Sequence, residues 1–113
     1  MTSLAQSETP LEGVKGVVFF GFPLHPSGKP SVERAEHLSA VEIPMLFLQG
    51  TRDTLAETHL ITEVTAGLGK MATMHVIDTG DHSFHVLKSS GKTDAQVLKD
   101  LAETTADWMR KCL

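Results

Sequence analysis

The chain has 113 residues, of which 41% are apolar, and a formal net charge of −4 at neutral pH. This length and composition predict a single domain, residues 1–113, with a small hydrophobic core, and they argue against disorder. Acidic and basic residues are mixed along the chain with no basic stripe, so no nucleic-acid partner is expected.

The first predicted elements are a weakly helical start and a strand. Met1–Ser7 favours a helix weakly, and the first eight residues lack the basic and apolar regions of a signal peptide. Val17–Gly21 lies in the run VKGVVFFGF, which is rich in β-branched and aromatic residues and apolar on both faces. Such a run is typical of a strand inside a parallel sheet. It is too short to span a bilayer, so no membrane partner is expected.

The middle of the chain predicts a loop, a second strand and a helix. Three prolines and a glycine place residues 23–31 in a loop, and residues 32–38 favour one or two helical turns. Pro44–Gly50 is the second apolar strand. Thr54 and Glu57 have the spacing of a capping box before an apolar pattern of helical period.

The last third predicts a strand, a polar turn and a final helix. Met74–Ile77 closes the third apolar run, and a turn centred on Gly80 follows it. Thr93 and Gln96 repeat the capping-box spacing, and a helix is predicted from about residue 94 to residue 110. The alternation of strands and helices predicts an α/β fold with three parallel strands and flanking helices.

Side chains that follow the three strands are expected to meet at one edge of the sheet, where ligands bind in parallel α/β folds. His25 follows the first strand, Asp53 ends the segment GTRD after the second, and His82 lies in GDHSF after the third. A carboxylate and an imidazole placed side by side allow the acid to fix the tautomer of a histidine base.

The phrases GFPLHP, LFLQGTRD and GDHSF together resemble the last third of an α/β-hydrolase. Within that fold the stretch VVFFGFPLHPSGKP closely resembles a group of small hydrolases allied to dienelactone hydrolases and to the testis-expressed hydrolase-like proteins. The resemblance covers essentially the whole chain and implies a partial α/β-hydrolase fold. It implies that Asp53 and His82 are the acid and base of a catalytic triad, which in this fold follow the nucleophile along the chain. The implied substrate is a small ester-like acyl compound, with no cofactor.

The family's nucleophile motif, G-x-S-x-G, does not occur in the sequence. Met1-Thr2-Ser3 resembles the run that opens the nucleophile helix, so the chain is expected to begin just past the nucleophile. The oxyanion hole uses the N–H after the nucleophile and one from an earlier loop. The chain alone is therefore expected to have little or no activity. The alternative is a non-catalytic interaction module that pairs with itself or with another chain.

Several residues keep more than one interpretation. Asp53 is also a good helix N-cap, and His82 is also an ordinary loop histidine. His25 lies near the same edge and is a candidate to line the substrate cleft. Arg52 is expected to brace either Asp53 or a neighbouring carbonyl. His82 and His85 are three apart, a ligand spacing that suits a metal only on a helix, so no metal site is expected.

Two further expectations concern the surroundings of the chain. A strand Val17–Gly21 without its usual neighbour would be an exposed apolar edge, which predicts a homodimer joined edge to edge. Cys112 is the single cysteine and cannot form an internal disulfide, which favours a reducing, cytoplasmic location.

Asp81 is expected to serve as a turn residue or structural acceptor. Ser27 and Ser83 lie near the predicted site, but neither is on a strand-to-helix elbow, so neither is expected to be a nucleophile.

Overall fold

Three parallel strands form the sheet of this computed structural model, which describes residues 15–25, 28–29 and 31–112. They are β1 (Val17–Phe20), β2 (Met45–Gly50) and β3 (Ala72–Ile77), hydrogen-bonded in the order β1-β2-β3. All three predicted strands are therefore confirmed, with bounds that differ by one or two residues. The predicted helical tendency of the first seven residues lies outside the described residues.

The central strand β2 is buried along its whole length, which explains its unbroken apolar sequence. Its side chains alternate between the two faces of the sheet. Met45 and Phe47 pack into one hydrophobic cluster, and Leu46 and Leu48 pack into the other. A strand with a core on each side has no solvent face, so it shows no apolar-polar alternation.

Helices cover both faces of the sheet. Helix α1 (Thr58–Gly67) contributes Ile61 to the cluster that contains Phe47, and helix α2 (Asp94–Cys112) contributes residues to the cluster that contains Leu46. Three short 3-10 helices complete the described elements: Glu33–Ala40, Gly69–Met71 and Lys88–Ser90. Within the described ranges, none of the helices has the length and apolar character needed to cross a membrane.

Of the two predicted capping boxes, one is confirmed and one is wrong. Before α2, Thr93 N–H donates to Gln96 Oε1 at 2.8 Å and Gln96 N–H donates to Thr93 Oγ1 at 3.2 Å. Before α1, the helix begins at Thr58, and Glu57 occupies the N-cap position without a side-chain bond. The prediction from the Thr54–Glu57 spacing failed because residues 53–56 form a turn, closed by Ala56 N–H and Asp53 O, and the helix begins only after it.

Candidate active site

The loops that follow β2 and β3 approach each other closely at the carboxyl edge of the sheet. Gly50 and Ile77, the last residues of these strands, are paired in register. A Cβ added to Gly50 would lie 2.1 Å from the carbonyl oxygen of Gly80. Real Cβ atoms do not come this near a backbone oxygen, so only glycine fits at position 50. The two loops can therefore lie in direct contact.

Hydrogen bonds from the first loop hold the second loop in place. Arg52 N–H donates to Gly80 O at 2.8 Å, and its side chain donates from Nε to Thr79 O at 2.5 Å and from a terminal nitrogen to His85 O at 3.2 Å. Thr79 N–H donates to Thr51 Oγ1 at 2.8 Å. Of the two predictions for Arg52, bracing of neighbouring carbonyls is the one that the structure shows.

Asp53 and His82 meet where these loops join. Nδ1 of His82 lies 2.8 Å from Oδ2 of Asp53. The Asp53 side chain is fully buried, and its other oxygen, Oδ1, accepts the N–H of Leu55 at 2.8 Å. A carboxylate accepts hydrogen bonds, so the contact fits an Nδ1–H donor, which in a neutral imidazole leaves the lone pair on Nε2. The imidazole is 38% exposed, so the pair combines a buried acid with an accessible base.

The ring of His82 also lies against the backbone at the end of β1. Gly21 has a φ of +75°, a conformation that favours glycine. A Cβ there would lie 3.2 Å from Nδ1 and Cε1 of His82, which is tighter than ordinary side-chain packing. The position of the His82 ring is thus limited by its hydrogen bond to Asp53 and by the close approach of the Gly21 backbone.

Asp81 shapes the turn that carries the histidine. Its Oδ1 accepts two backbone N–H groups, those of Ser83 and His85, each at 2.9 Å. Phe84 between them has a positive φ of 64° and a buried side chain. The expectation that Asp81 is a structural acceptor is confirmed, and its carboxylate orients the loop around His82.

A second histidine–aspartate pair joins the same loop to α2. His85 Nδ1 lies 2.8 Å from Asp94 Oδ2, and Asp94 Oδ1 accepts the N–H of Val86 at 3.1 Å. The hydrogen bond to Asp94 and the negative charges of Asp94 and Asp81 raise the pKa of His85. The bonds from His85 and Val86 lower the pKa of Asp94. Sequence reasoning missed this pair.

His25 occupies a different environment from the predicted one. Its side chain is fully buried, and Nε2 accepts the N–H of Glu57 at 3.0 Å. The imidazole therefore satisfies a backbone donor at the start of α1, and its predicted role in a substrate cleft gains no support. Ser83 is exposed in the turn after His82, whereas Ser27 lies outside the described residues.

Beside the Asp53–His82 pair, the described surface has an open depression but no group of metal-ligating side chains. An open depression of about 820 Å³ lies beside the loop of Asp53, lined by residues such as Arg52, Glu57 and His59. Asp53 is among its lining residues and His82 is not, so the depression borders the segment that carries the acid of the pair. In the part of the chain that the structure describes, no three His, Cys, Asp or Glu residues are grouped closely enough to hold a metal ion.

The sequence matches the family model of an alpha/beta hydrolase domain over residues 1–110. The chain therefore belongs to the α/β-hydrolase family. Its three parallel strands with helices on both faces are consistent with part of the α/β-hydrolase fold. No solved structure matches the chain.

Proposed function

We propose that His82 and Asp53 are the base and acid of a serine-type hydrolase that acts on ester-like acyl substrates. The observation that carries this proposal is the 2.8 Å contact between His82 Nδ1 and the fully buried Asp53 carboxylate. It occurs at the carboxyl edge of a parallel sheet, where α/β folds place their ligands. Membership of the α/β-hydrolase family supports the same reaction class.

Each member of the pair has a defined role in this chemistry. Nε2 of His82 takes the proton of a serine hydroxyl as its oxygen attacks the acyl carbon, and later returns that proton to the leaving group. Asp53 keeps the Nδ1–H tautomer and stabilises the imidazolium that forms. Leu55 N–H and burial hold the carboxylate in one orientation, so the acid does not turn away from the ring.

We further propose that the 113-residue chain does not hydrolyse esters by itself. The sequence contains no G-x-S-x-G motif, and Ser83 lies on an exposed turn of the histidine loop. A base without a nucleophile cannot form an acyl-enzyme.

The test is hydrolysis of p-nitrophenyl acetate by the purified chain, compared with His82→Ala and with an equal concentration of free imidazole. The expected rate does not exceed that of imidazole. A faster turnover that disappears in Ser83→Ala or Ser27→Ala would show that a serine of this chain acts as the nucleophile.

The acid–base pair has a separate test that needs no substrate. Nitrogen-15 NMR of the histidine rings distinguishes the Nδ1–H tautomer from the Nε2–H tautomer. In the unmodified chain His82 should be the Nδ1–H tautomer when neutral, and Asp53→Asn should shift it toward Nε2–H, because an amide no longer provides a charged acceptor. A His82 tautomer that is the same with Asp53 and with Asn at that position contradicts the proposed pairing.

The narrower assignments depend on sequence features alone. The phrases GFPLHP, LFLQGTRD and GDHSF support a place in the dienelactone-hydrolase-like and testis-expressed hydrolase-like group. The single cysteine, Cys112, supports a cytoplasmic location, and its thiol is exposed.

A second candidate function is association of two copies of the chain through residues 17–21. In the described sheet β1 is an edge strand, and its last residue, Phe20, is 58% exposed. Phe20 lines an apolar groove together with Leu98 and Met109 of α2, which are 63% and 49% exposed. Two-fold symmetry would place the β1 strands of two copies antiparallel and bring both grooves to one interface.

A further inference from the structure

The carboxamide of Gln49 is a buried polar group in an otherwise apolar strand. It lies on β2, one residue before Gly50, and is 2% exposed. Its Oε1 accepts the backbone N–H of Phe22 at 2.8 Å, across 27 positions of sequence. Among the residues that the structure describes, its Nε2 has no hydrogen-bond partner. Burial of the Nε2 group without a hydrogen-bond partner is unfavourable. The favourable contribution of Gln49 at this position is therefore the hydrogen bond that its Oε1 accepts.

The backbone that Gln49 holds is the backbone against which His82 rests. Gly21 N–H donates to Leu48 O at 2.8 Å, and the next N–H, that of Phe22, donates to the Gln49 side chain. These two consecutive bonds fix the Gly21–Phe22 peptide to β2. On its other side Gly21 lies so close to the imidazole that a Cβ would be 3.2 Å from Nδ1 and Cε1.

The geometry points to Gln49 as a positioning residue for His82, acting through the Gly21–Phe22 backbone. The inference rests on the proposed role of His82 as the catalytic base. Asp53 fixes the imidazole at Nδ1, and Gly21 limits its movement on another side. Loss of the acceptor on Gln49 releases the Phe22 N–H, which lets the Gly21 backbone move and gives the ring room to rotate.

Gln49→Met tests the inference in the 113-residue chain. Methionine has a similar length and fills the space, but it places no oxygen near the Phe22 N–H. The expected result is that the ring signals of His82 in carbon-13 and nitrogen-15 NMR shift or split into more than one set. The signals of His75 and His85 should stay in place, because each is paired with its own aspartate at 3.1 Å and 2.8 Å. Met45→Leu is the matched control, a fully buried change on the same face of β2 that should leave His82 unchanged.

A second variant, Gln49→Asn, serves if the methionine variant does not fold. It keeps the amide but shortens the side chain by one methylene, so its oxygen no longer reaches the same position. It should displace His82 in the same way. His82 signals identical to those of the unmodified chain in either folded variant overturn the inference. Asp53→Asn separates this outcome from failure of the proposed function. If Asp53→Asn changes the His82 tautomer while the His82 ring signals of the Gln49 variants stay in place, the pair stands and only the positioning role is refuted.

Discussion

The backbones of the acid loop and the histidine loop are in contact at Gly50 and Gly80. This contact depends on the absence of a Cβ at Gly50. Gly50→Ala places a Cβ against the Gly80 carbonyl, a backbone atom that cannot rotate aside. We expect a loss of about 1–3 kcal/mol of unfolding free energy, the usual cost of overpacking. Urea unfolding monitored by circular dichroism measures it.

The matched control for Gly50→Ala is Gly67→Ala at the end of α1. Among the described residues outside the helix's own backbone, no atom lies within 4 Å of the added Cβ there. This variant should therefore be as stable as the unmodified chain or gain up to about 1 kcal/mol. Equal stability of the unmodified chain and the Gly50→Ala variant contradicts the close approach of the two loops.

The His85–Asp94 pair predicts a pH-dependent contribution to stability. The pKa of His85 is raised on folding, so its contribution is complete below its unfolded pKa and is lost as pH rises through the folded value. The pKa of Asp94 is lowered, so its contribution is present above its unfolded pKa and is lost in acid. The pair should therefore contribute most between roughly pH 4 and 6.5.

Melting temperatures of the Asp94→Asn variant test this contribution. The difference from the unmodified chain should be larger at pH 5.5 than at pH 9, and it should shrink in 1 M salt because both side chains are exposed. His85→Gln should remove the same pH-dependent part, and the double variant should add nothing to it. A difference that is independent of pH shows that the ion pair does not contribute.

The segments that begin at Thr54 and at Thr93 have the same capping-box spacing, but only the one at Thr93 forms the capping hydrogen bonds. Alanine substitutions at these two positions can therefore be compared directly. Thr93→Ala removes the acceptor for Gln96 N–H and should cost about 0.5–2 kcal/mol of unfolding free energy. Thr54→Ala should be neutral within about 0.5 kcal/mol, because Thr54 is exposed and lies four positions before the first residue of α1. Equal losses in the two variants, measured by urea unfolding, would mean that Thr54 also caps its helix.

The elements were predictable from sequence where burial leaves a local pattern. The apolar run of β2 predicted its strand because both faces are covered. Asp53 and His82 were predictable as neighbours because each follows a parallel strand. The Gln49–Phe22 bond was not, since it joins positions 27 apart and its glutamine lies within an apolar run. The capping box at Thr54 was predicted wrongly because residue spacing alone does not reveal where the backbone becomes helical.

At the scale of the whole molecule, the position of β1 at one edge of the described sheet predicts self-association. Phe20→Lys places a charge on the edge strand and beside the apolar groove, and charged side chains on edge strands oppose pairing. If two copies pair through β1, light scattering should show a dimer for the unmodified chain and a larger monomer fraction for Phe20→Lys.

The control for the edge strand is Val76→Lys on β3, the opposite edge of the described sheet. Val76 is 40% exposed, so the substitution adds a comparable charge without touching β1. Its association should equal that of the unmodified chain. A monomeric unmodified chain, or equal dissociation in both variants, contradicts pairing through residues 17–21.

The close contact between the loops after β2 and β3 has a consequence for the order of folding. Asp53 and His82 are 29 positions apart and both follow strands of one β2–α1–β3 crossover. The pairing of β1 with β2 spans about the same number of positions as the pairing of β2 with β3, so the two strand pairs have similar loop-closure costs. The contact between Asp53 and His82 therefore requires β2 and β3 but not β1, and loop closure does not oblige either strand pair to form first. Transient opening of β1 in the folded chain would loosen the histidine ring while the pair itself stays formed.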